Sequence, residues 1–369
     1  MLVVTYEFQP FPGGIATYAA RLTEAVRRAG VPVSVLAPRY DSPPSAADEK
    51  DVIRAFRHHR PRLIDTLHLL RRLARAPSGD IVLAADVRSL LLLWSTRWIH
   101  GRSFRVAIHG SEVSKLDGHP LVRWLAQRAY LSAELILANS KATLEIFEQN
   151  LAISAKAQVA HLGVDETWFV RPSGVFEDRT LREIAADAKV VCCVGRIEPR
   201  KGQLEVVRAL ASISPGLPSE RIVLVLAGRV EDLAYARRIT EEASGLKVEL
   251  VMPGRICEAD IRRLFLRSAC HALFARTLDG KIEGFGLVLL EAAASGCPSV
   301  ATRVGGIPEV MGSTGRVVDA EDLEEFGAAL RDYICGTLHR DPDLQIQQAR
   351  AFTWSTCAAA TFPELFGRG

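Results

Sequence analysis

Short apolar strands alternate with amphipathic helices along this chain, and the series runs through twice. Such alternation builds a parallel sheet with helices on its faces, because each parallel crossover needs room for a helix. In the first half, residues 2–6, 33–37, 81–85, 105–109, 135–138 and 158–160 read as strands. A helix over 14–29 follows the first strand and stops at Gly30. In the second half, residues 190–194, 222–227, 248–252, 271–274 and 299–301 read as strands. Helices fall between them, such as 202–212, 233–243 and 258–267.

The strand series restarts after 163–189, where periodicity weakens and Pro172, Ser173 and Gly174 occur. That places a linker near 165–175. The expected domains are 1–168 and 169–350, both doubly wound α/β, followed by a tail. The tail carries Phe352, Trp354, Phe362, Leu365 and Phe366, so a helix over 351–369 should pack back on a domain, the first being favoured. Two such sheets would face each other across a cleft at the carboxyl ends of their strands, where sheets of this class bind ligands.

A chain of 369 residues, 48% apolar and 24% charged, suits two globular domains. The net charge of +3 hides a basic excess in the first half. It is too small to imply nucleic acid, and no nucleic-acid motif occurs. The seven cysteines show no CxxC or metal-ligand spacing, so reduced thiols are expected. Leu2-Val3-Val4 reads as a strand rather than a secretory signal. The apolar stretch 81–94 is interrupted by Asp86 and Arg88, which argues against a membrane span.

These features place the protein in the cytoplasm, with peripheral contact to the inner face of the membrane left open. Residues 50–75 hold eight Lys/Arg against Asp51 and Asp65, with Leu63, Leu67, Leu70 and Ala74 at helical spacing. They read as a solvated surface helix or as an interfacial helix drawn to anionic lipid. Trp94 and Trp98, with Arg97 and Arg102, would extend such a surface, or they belong to the core.

The segment Glu283-Gly284-Phe285-Gly286-Leu287-Val288-Leu289-Leu290-Glu291 carries the strongest chemical signal. A Gly-Phe-Gly turn before an apolar helix offers bare backbone N–H groups and the positive end of a helix dipole to an anion. Gly296 and Pro298 would close that helix. Glu291 would lie roughly 7–8 Å along it at 1.5 Å per residue. An anion at the helix mouth would then have a carboxylate on either side. Phosphate needs no carboxylate, but sugar hydroxyls do. The implied ligand is a nucleoside diphosphate sugar.

Four further elements belong with it. Gly13-Gly14, after the first strand, lets backbone approach an anion or a sugar, or is a purely structural turn. Arg196 and Lys201, within Gly195-Arg196-Ile197-Glu198-Pro199-Arg200-Lys201-Gly202, can converge on a diphosphate; isolated surface cations are the alternative. His109-Gly110-Ser111-Glu112 ends a strand, as does Asn139-Ser140, which is a polar pair or a helix N-cap. Arg255 follows the strand ending near Met252, where it faces a nucleobase or closes an ordinary turn. Neither a dinucleotide fingerprint nor a Walker motif is present, which disfavours an NAD-dependent oxidoreductase and a P-loop enzyme.

In this order, with Gly305-Gly306-Ile307-Pro308-Glu309, the elements resemble family 4 of the retaining glycosyltransferases, of GT-B fold. The resemblance covers nearly the whole chain. His-Gly-x-Glu, the early Gly-Gly-Ile and Arg276-Thr277 ahead of Glu283 look most like bacterial mannosyltransferases of phosphatidylinositol mannosides.

The resemblance implies that the second domain binds a GDP- or UDP-sugar and the first an alcohol on a saccharide, lipid-linked glycan or small molecule. Gly13 and Gly14 would approach the donor phosphate. Arg196 and Lys201 would stabilise the leaving diphosphate, without metal or other cofactor. Glu291 would bind the ribose. Glu283, with the backbone of Gly284, Phe285, Gly286 and Leu287, would hold the donor sugar and phosphate. His109 would lie near the reacting carbon, and Glu112 and Asn139 on the acceptor side. Both glutamates become binding groups rather than a glycosidase pair. A sugar-nucleotide epimerase of the same fold and a non-catalytic nucleotide-sugar-binding protein are the alternatives.

Overall fold

The structure, a computed structural model, describes residues 1–11, 13–39, 51–57, 62–110, 120–153, 156–214, 217 and 221–366. The chain forms two compact units, Met1–Gly163 with Trp354–Gly369, and Val164–Thr353. The divisions fall a few residues from the expected 168/169 and 350/351, and Phe352 stays with the second unit.

Among the described residues the first unit holds seven strands: β1 (Leu2–Val4), β2 (Ser34–Arg39), β3 (Val52–Arg57), β4 (Val82–Ala84), β5 (Arg105–Ile108), β6 (Leu135–Ala138) and β7 (Ala157–Val159). They pair in the order β3-β2-β1-β4-β5-β6-β7, all parallel. The chain winds outward from β1 in one direction, then restarts beside it at β4. That reversal makes the β1/β4 edge a switch point, where helices leave on opposite faces and open a crevice.

β3 was not expected. It lies inside the basic segment 50–75, where Arg54 and Arg57 break the apolar run. Among the described residues it is an edge strand that pairs only with β2. The helix of that segment is Leu63–Arg75, and it buries Asp65, Leu69 and Leu73. The apolar stripe visible in the sequence is its outward face, with Leu63 94% exposed. Residues 40–50 and 58–61 lie outside the described residues.

A buried aspartate ties β1 to β4. Asp86, 2% exposed, follows β4 and caps the helix Val87–His100 by accepting from the N–H groups of Arg88 and Ser89. Its other oxygen accepts from Thr5 Oγ1 at 2.9 Å and Tyr6 N at 2.7 Å. Charge-assisted bonds contribute about 1.5–3 kcal/mol each, enough to hold a carboxylate out of water. The chain leaving β1 is thereby set against β4.

The C-terminal segment forms helices Trp354–Thr361 and Pro363–Phe366 in the first unit. Trp354, Cys357, Ala358 and Phe362 are buried, and Trp354 lies 6.5 Å from Tyr18. Arg105 donates to Thr361 O at 2.6 Å and pairs with Glu364 at 2.8 Å.

Among the described residues the second unit holds six strands: β8 (Lys189–Val194), β9 (Ile222–Ala227), β10 (Val248–Gly254), β11 (Cys270–Leu273), β12 (Ser299–Thr302) and β13 (Arg316–Val318). Their order is β10-β9-β8-β11-β12-β13, again parallel, with the switch point at β8/β11. β13 was not expected either, because a three-residue edge strand opening on an arginine leaves no apolar run to read. Cys192, Cys193, Cys270 and Cys297 are buried free thiols. Among the described residues no helix is long and apolar enough to cross a membrane.

Candidate active site

The second unit gathers its charged residues at the β8/β11 switch point. β8 ends at Val194 and the chain turns through Gly195 and Arg196 into a short 3-10 turn, Pro199–Lys201, before the helix Gln203–Ile213. The loop after β11 brings Glu283 to the same place. Glu283 is 9% exposed, and its Oε2 accepts from Lys201 Nζ at 2.7 Å and Arg200 Nη1 at 2.8 Å. Burial alone would raise its pKa. Lys201 and then Arg200, by charge and hydrogen bond, more than offset this and hold the carboxyl at about 2.

Arg200 is the residue that sequence reasoning missed. It also donates to Ile282 O at 3.3 Å and to Glu198 Oε1 at 3.0 Å, while its own carbonyl accepts from Arg276 N at 2.9 Å. Arg196 joins through Glu198, at 3.1 Å, and is half exposed. The two cations picked from sequence thus sit on different carboxylates, Lys201 on Glu283 and Arg196 on Glu198. Behind them His271 of β11 is wholly buried, edge-on to Phe265. Burial, helped by the charge of Lys201, holds it neutral with a pKa of about 3.

Two short motifs shape the loop that carries Glu283. Leu278 and Lys281 exchange backbone bonds across Asp279 and Gly280, both at positive φ, the pattern of a type I′ turn. That accounts for Asp279-Gly280-Lys281 as a turn signal. On the other side, Gly306 N donates to Glu283 O at 3.0 Å. Gly305 takes φ +56°, and a Cβ there would stand 2.0 Å from that same oxygen. Gly305-Gly306 therefore lets one loop seat directly on the glutamate's backbone.

The helix after the turn is Leu287–Ala294. Gly286, at φ +88°, is its N-cap and brings no capping side chain; Leu289 N turns back to Gly286 O at 2.9 Å, and among the described residues the amides of Leu287 and Val288 are left to an external acceptor. Phe285 lies before the helix, buried and edge-on to Phe352. The helix ends in a Schellman closure, Cys297 N to Ala292 O and Gly296 N to Ala293 O. Glu291 is partly buried within it, and Arg255 is exposed after β10.

In the first unit the candidates line the carboxyl edge of the sheet. Gly13 is the N-cap of the helix Gly14–Arg28. A Cβ added at Gly14 meets no described atom within 4 Å, so the fold of the unit does not itself demand glycine there. His109, after β5, donates from Nε2 to Ala85 O at 3.0 Å, since a carbonyl can only accept, and packs edge-on to Tyr18. Asn139, after β6, is buried and donates to His109 O at 3.5 Å. Its Oδ1 has no partner among the described residues. Ser140 caps the helix Lys141–Leu151 by accepting from Thr143 N. Ser111 and Glu112 lie outside the described residues.

Glu7 is a second residue without a sequence signal. It follows β1 and pairs with Arg88 at 3.4 Å, and a Cβ on Gly13 would come within 3.7 Å of its Oε2. Burial, and next the charge of Asp86, raise its carboxyl above the ordinary range, while Arg88 and then His109 oppose this. Among the described residues no group of three or more His, Cys, Asp or Glu is placed to hold a metal ion.

Two family models match the chain nearly end to end, "Glycosyltransferase Family 4" over 12–168 and "Glycosyl transferases group 1" over 176–349. The chain belongs to the family 4 glycosyltransferases. It is 29% identical over 348 residues to a GDP-mannose-dependent alpha-(1-6)-phosphatidylinositol monomannoside mannosyltransferase of Mycolicibacterium smegmatis, covering 90% of this chain and 89% of that one. A monoacylated-substrate counterpart from Corynebacterium glutamicum is 28% identical over 353 residues, 92% and 90% of the two chains.

Among solved structures, Anabaena HepE in complex with UDP superposes with TM-score 0.77 over the full length of both chains, at 19% identity. Sucrose-phosphate synthase of Thermosynechococcus elongatus gives 0.77 over 100% and 99% of the two chains, at 18%. The fold is GT-B, and this family 4 glycosyltransferase is an enzyme of nucleotide-sugar glycosyl transfer.

The ion cluster makes stability depend on pH in a defined direction. The Glu283 carboxyl is ionised down to about pH 2 in the folded chain and to about 4.5 when unfolded. Its contribution is complete above that upper value and is lost as pH falls toward the lower one. Glu283→Gln, which strands the buried Lys201 and leaves Arg200 with Glu198 alone as its counter-ion, should cost about 3–5 kcal/mol at pH 7. The gap from wild type should narrow steadily below pH 4.5, as read from urea midpoints. A gap independent of pH would contradict this.

Proposed function

We propose that this glycosyltransferase moves a hexosyl group, with retention and without a bound metal, from a nucleoside diphosphate sugar to an alcohol. The observation that carries the reading is the cluster at the β8/β11 switch point, where one buried carboxylate holds two cations beside the uncapped start of the helix Leu287–Ala294. Fixed positive charge and open amides suit a diphosphate, and a carboxylate among them suits sugar hydroxyls. Arg196 and Lys201 would offset the charge that grows on the leaving phosphate. Glu291 would take the ribose hydroxyls, Arg255 would flank the base, and Gly284 to Leu287 would offer backbone N–H groups.

The chemistry needs no carboxylate nucleophile. The bond from the anomeric carbon to the phosphate oxygen breaks as the acceptor oxygen bonds to that carbon from the same face. The acceptor proton passes to the departing phosphate oxygen. His109 would contact the donor sugar, with Gly13 and Gly14 near the phosphate and Asn139 and Glu112 toward the acceptor. The names of the mycobacterial and corynebacterial relatives favour GDP-mannose as donor and a lipid-linked inositol glycan as acceptor. HepE keeps a UDP-sugar in view.

The direct test incubates the protein with UDP-, GDP- and ADP-sugars and measures release of the nucleoside diphosphate. Slow release from one donor, accelerated by the alcohol acceptor, is the expected result. No release and no binding would refute transfer, and epimer formation without transfer would select the isomerase.

Peripheral contact with an anionic membrane is part of this proposal. The helix Leu63–Arg75 turns Leu63, Ile64 and Leu67 outward. On the helices Val87–His100 and Pro120–Leu131, Trp98, Ile99, Leu121 and Trp124 are exposed, with Arg97 over Trp98 at 4.5 Å and Arg128 over Trp124 at 5.4 Å. Apolar and aromatic groups interleaved with arginine suit a headgroup layer. Trp94, by contrast, packs against the core. The protein should float with phosphatidylglycerol vesicles at low salt, and Trp98→Ala/Trp124→Ala should weaken this. No co-flotation at low salt would remove the membrane from the account.

A further inference from the structure

The two cations on Glu283 are held very differently. Arg200 is fixed by Glu283, Glu198 and the carbonyl of Ile282, and its own backbone carbonyl is bonded to Arg276. Lys201 has Glu283 as its one side-chain partner among the described residues, at 2.7 Å. An ammonium on a flexible stem can turn from one acceptor to another, whereas a guanidinium fork anchored at three points cannot leave without breaking all three. Both side chains are mostly buried, 15% and 12% exposed, so neither is an ordinary surface cation.

We infer that Arg200 is a positioning residue, the permanent counter-ion of Glu283, whose presence frees Lys201 to leave that carboxylate for the donor diphosphate. The inference rests on the nucleotide-sugar reading above and adds a division of labour to it. Without Arg200, Lys201 is the sole counter-charge of a buried carboxylate, and moving it to a phosphate strands that carboxylate. Stranding one member of a buried ion pair carries a large penalty. With Arg200 in place the transfer leaves Glu283 ionised and aimed at the hydroxyls of the bound sugar. Glu198 completes the device by holding Arg200 from the side away from Glu283.

The test uses affinity for UDP and GDP alone, which carry no sugar for Glu283 to touch. The full chain is titrated calorimetrically as wild type, Arg200→Gln, Glu283→Gln and the Arg200→Gln/Glu283→Gln double variant, each after a melting curve shows it folded. Arg200→Gln should bind the better nucleotide about tenfold more weakly than wild type. The double variant should recover wild-type affinity or exceed it, because no carboxylate remains to detain Lys201. Arg200→Lys, which keeps a cation beside Glu283, should stay close to wild type and carries the comparison if Arg200→Gln does not fold.

A double variant as weak as Arg200→Gln would make Arg200 a phosphate ligand in its own right and overturn the inference. Unchanged affinity in Arg200→Gln would overturn it as well. Failure of the wild type to bind either nucleotide is a different result, which overturns the nucleotide-sugar reading and the inference with it.

Discussion

A carboxylate taken out of water must be matched by charge, and the second unit is built around one such match. Glu283 reaches its position only because loops after two different strands meet there, Pro199–Lys201 following β8 and 274–283 following β11. The pairing pins the loop from both sides, through Arg200 to Ile282 O and through Gly306 to the glutamate's own carbonyl. The helix Leu287–Ala294 starts four residues beyond Glu283, so fixing the loop also fixes the direction of that helix and its open amides. Charge pairing and loop architecture are one interaction here.

The first unit reaches a comparable order with a different device. Asp86 is held by four hydrogen bonds, two capping its own helix and two drawing in the chain after β1. Glu7, three residues past β1, is then held close to the Gly13 turn and Arg88. In both units the charged residues collect where the strand order reverses, which is where helices diverge and leave backbone groups open.

Much of this was legible in the sequence because it depends on local pattern. Central strands buried on their faces read as plain apolar runs, and nine of that kind stand out, with the edge strands β7 and β10 beside them. β3 and β13 escape because edge strands need no continuous apolar run, and Arg54, Arg57 and Arg316 interrupt theirs. Glu283, Lys201 and the Gly-Phe-Gly turn were found from their spacing. Arg200 was not, since beside Lys201 it looks like one more surface cation, and its value comes from a partner 83 positions away. Glu7 likewise depends on through-space neighbours, Arg88 and Gly13, and has no motif of its own. The outward face of Leu63 and Leu67 shows the complementary limit: helical spacing identifies a stripe but not which side of it is covered.

The ion cluster also separates two kinds of sugar chemistry. A carboxylate held at about pKa 2 between two cations is a poor nucleophile and a poor proton acceptor, so Glu283 is suited to hold hydroxyls rather than to attack or deprotonate. Such a group fits the proposed same-face transfer assisted by the leaving phosphate. The most direct measurement follows the first turnovers by proton NMR of the anomeric signal, with intact-mass spectrometry of the protein alongside. The account predicts a product with the donor's anomeric configuration and an enzyme of unchanged mass. An inverted product, or a glycosyl adduct on Glu283, would contradict it.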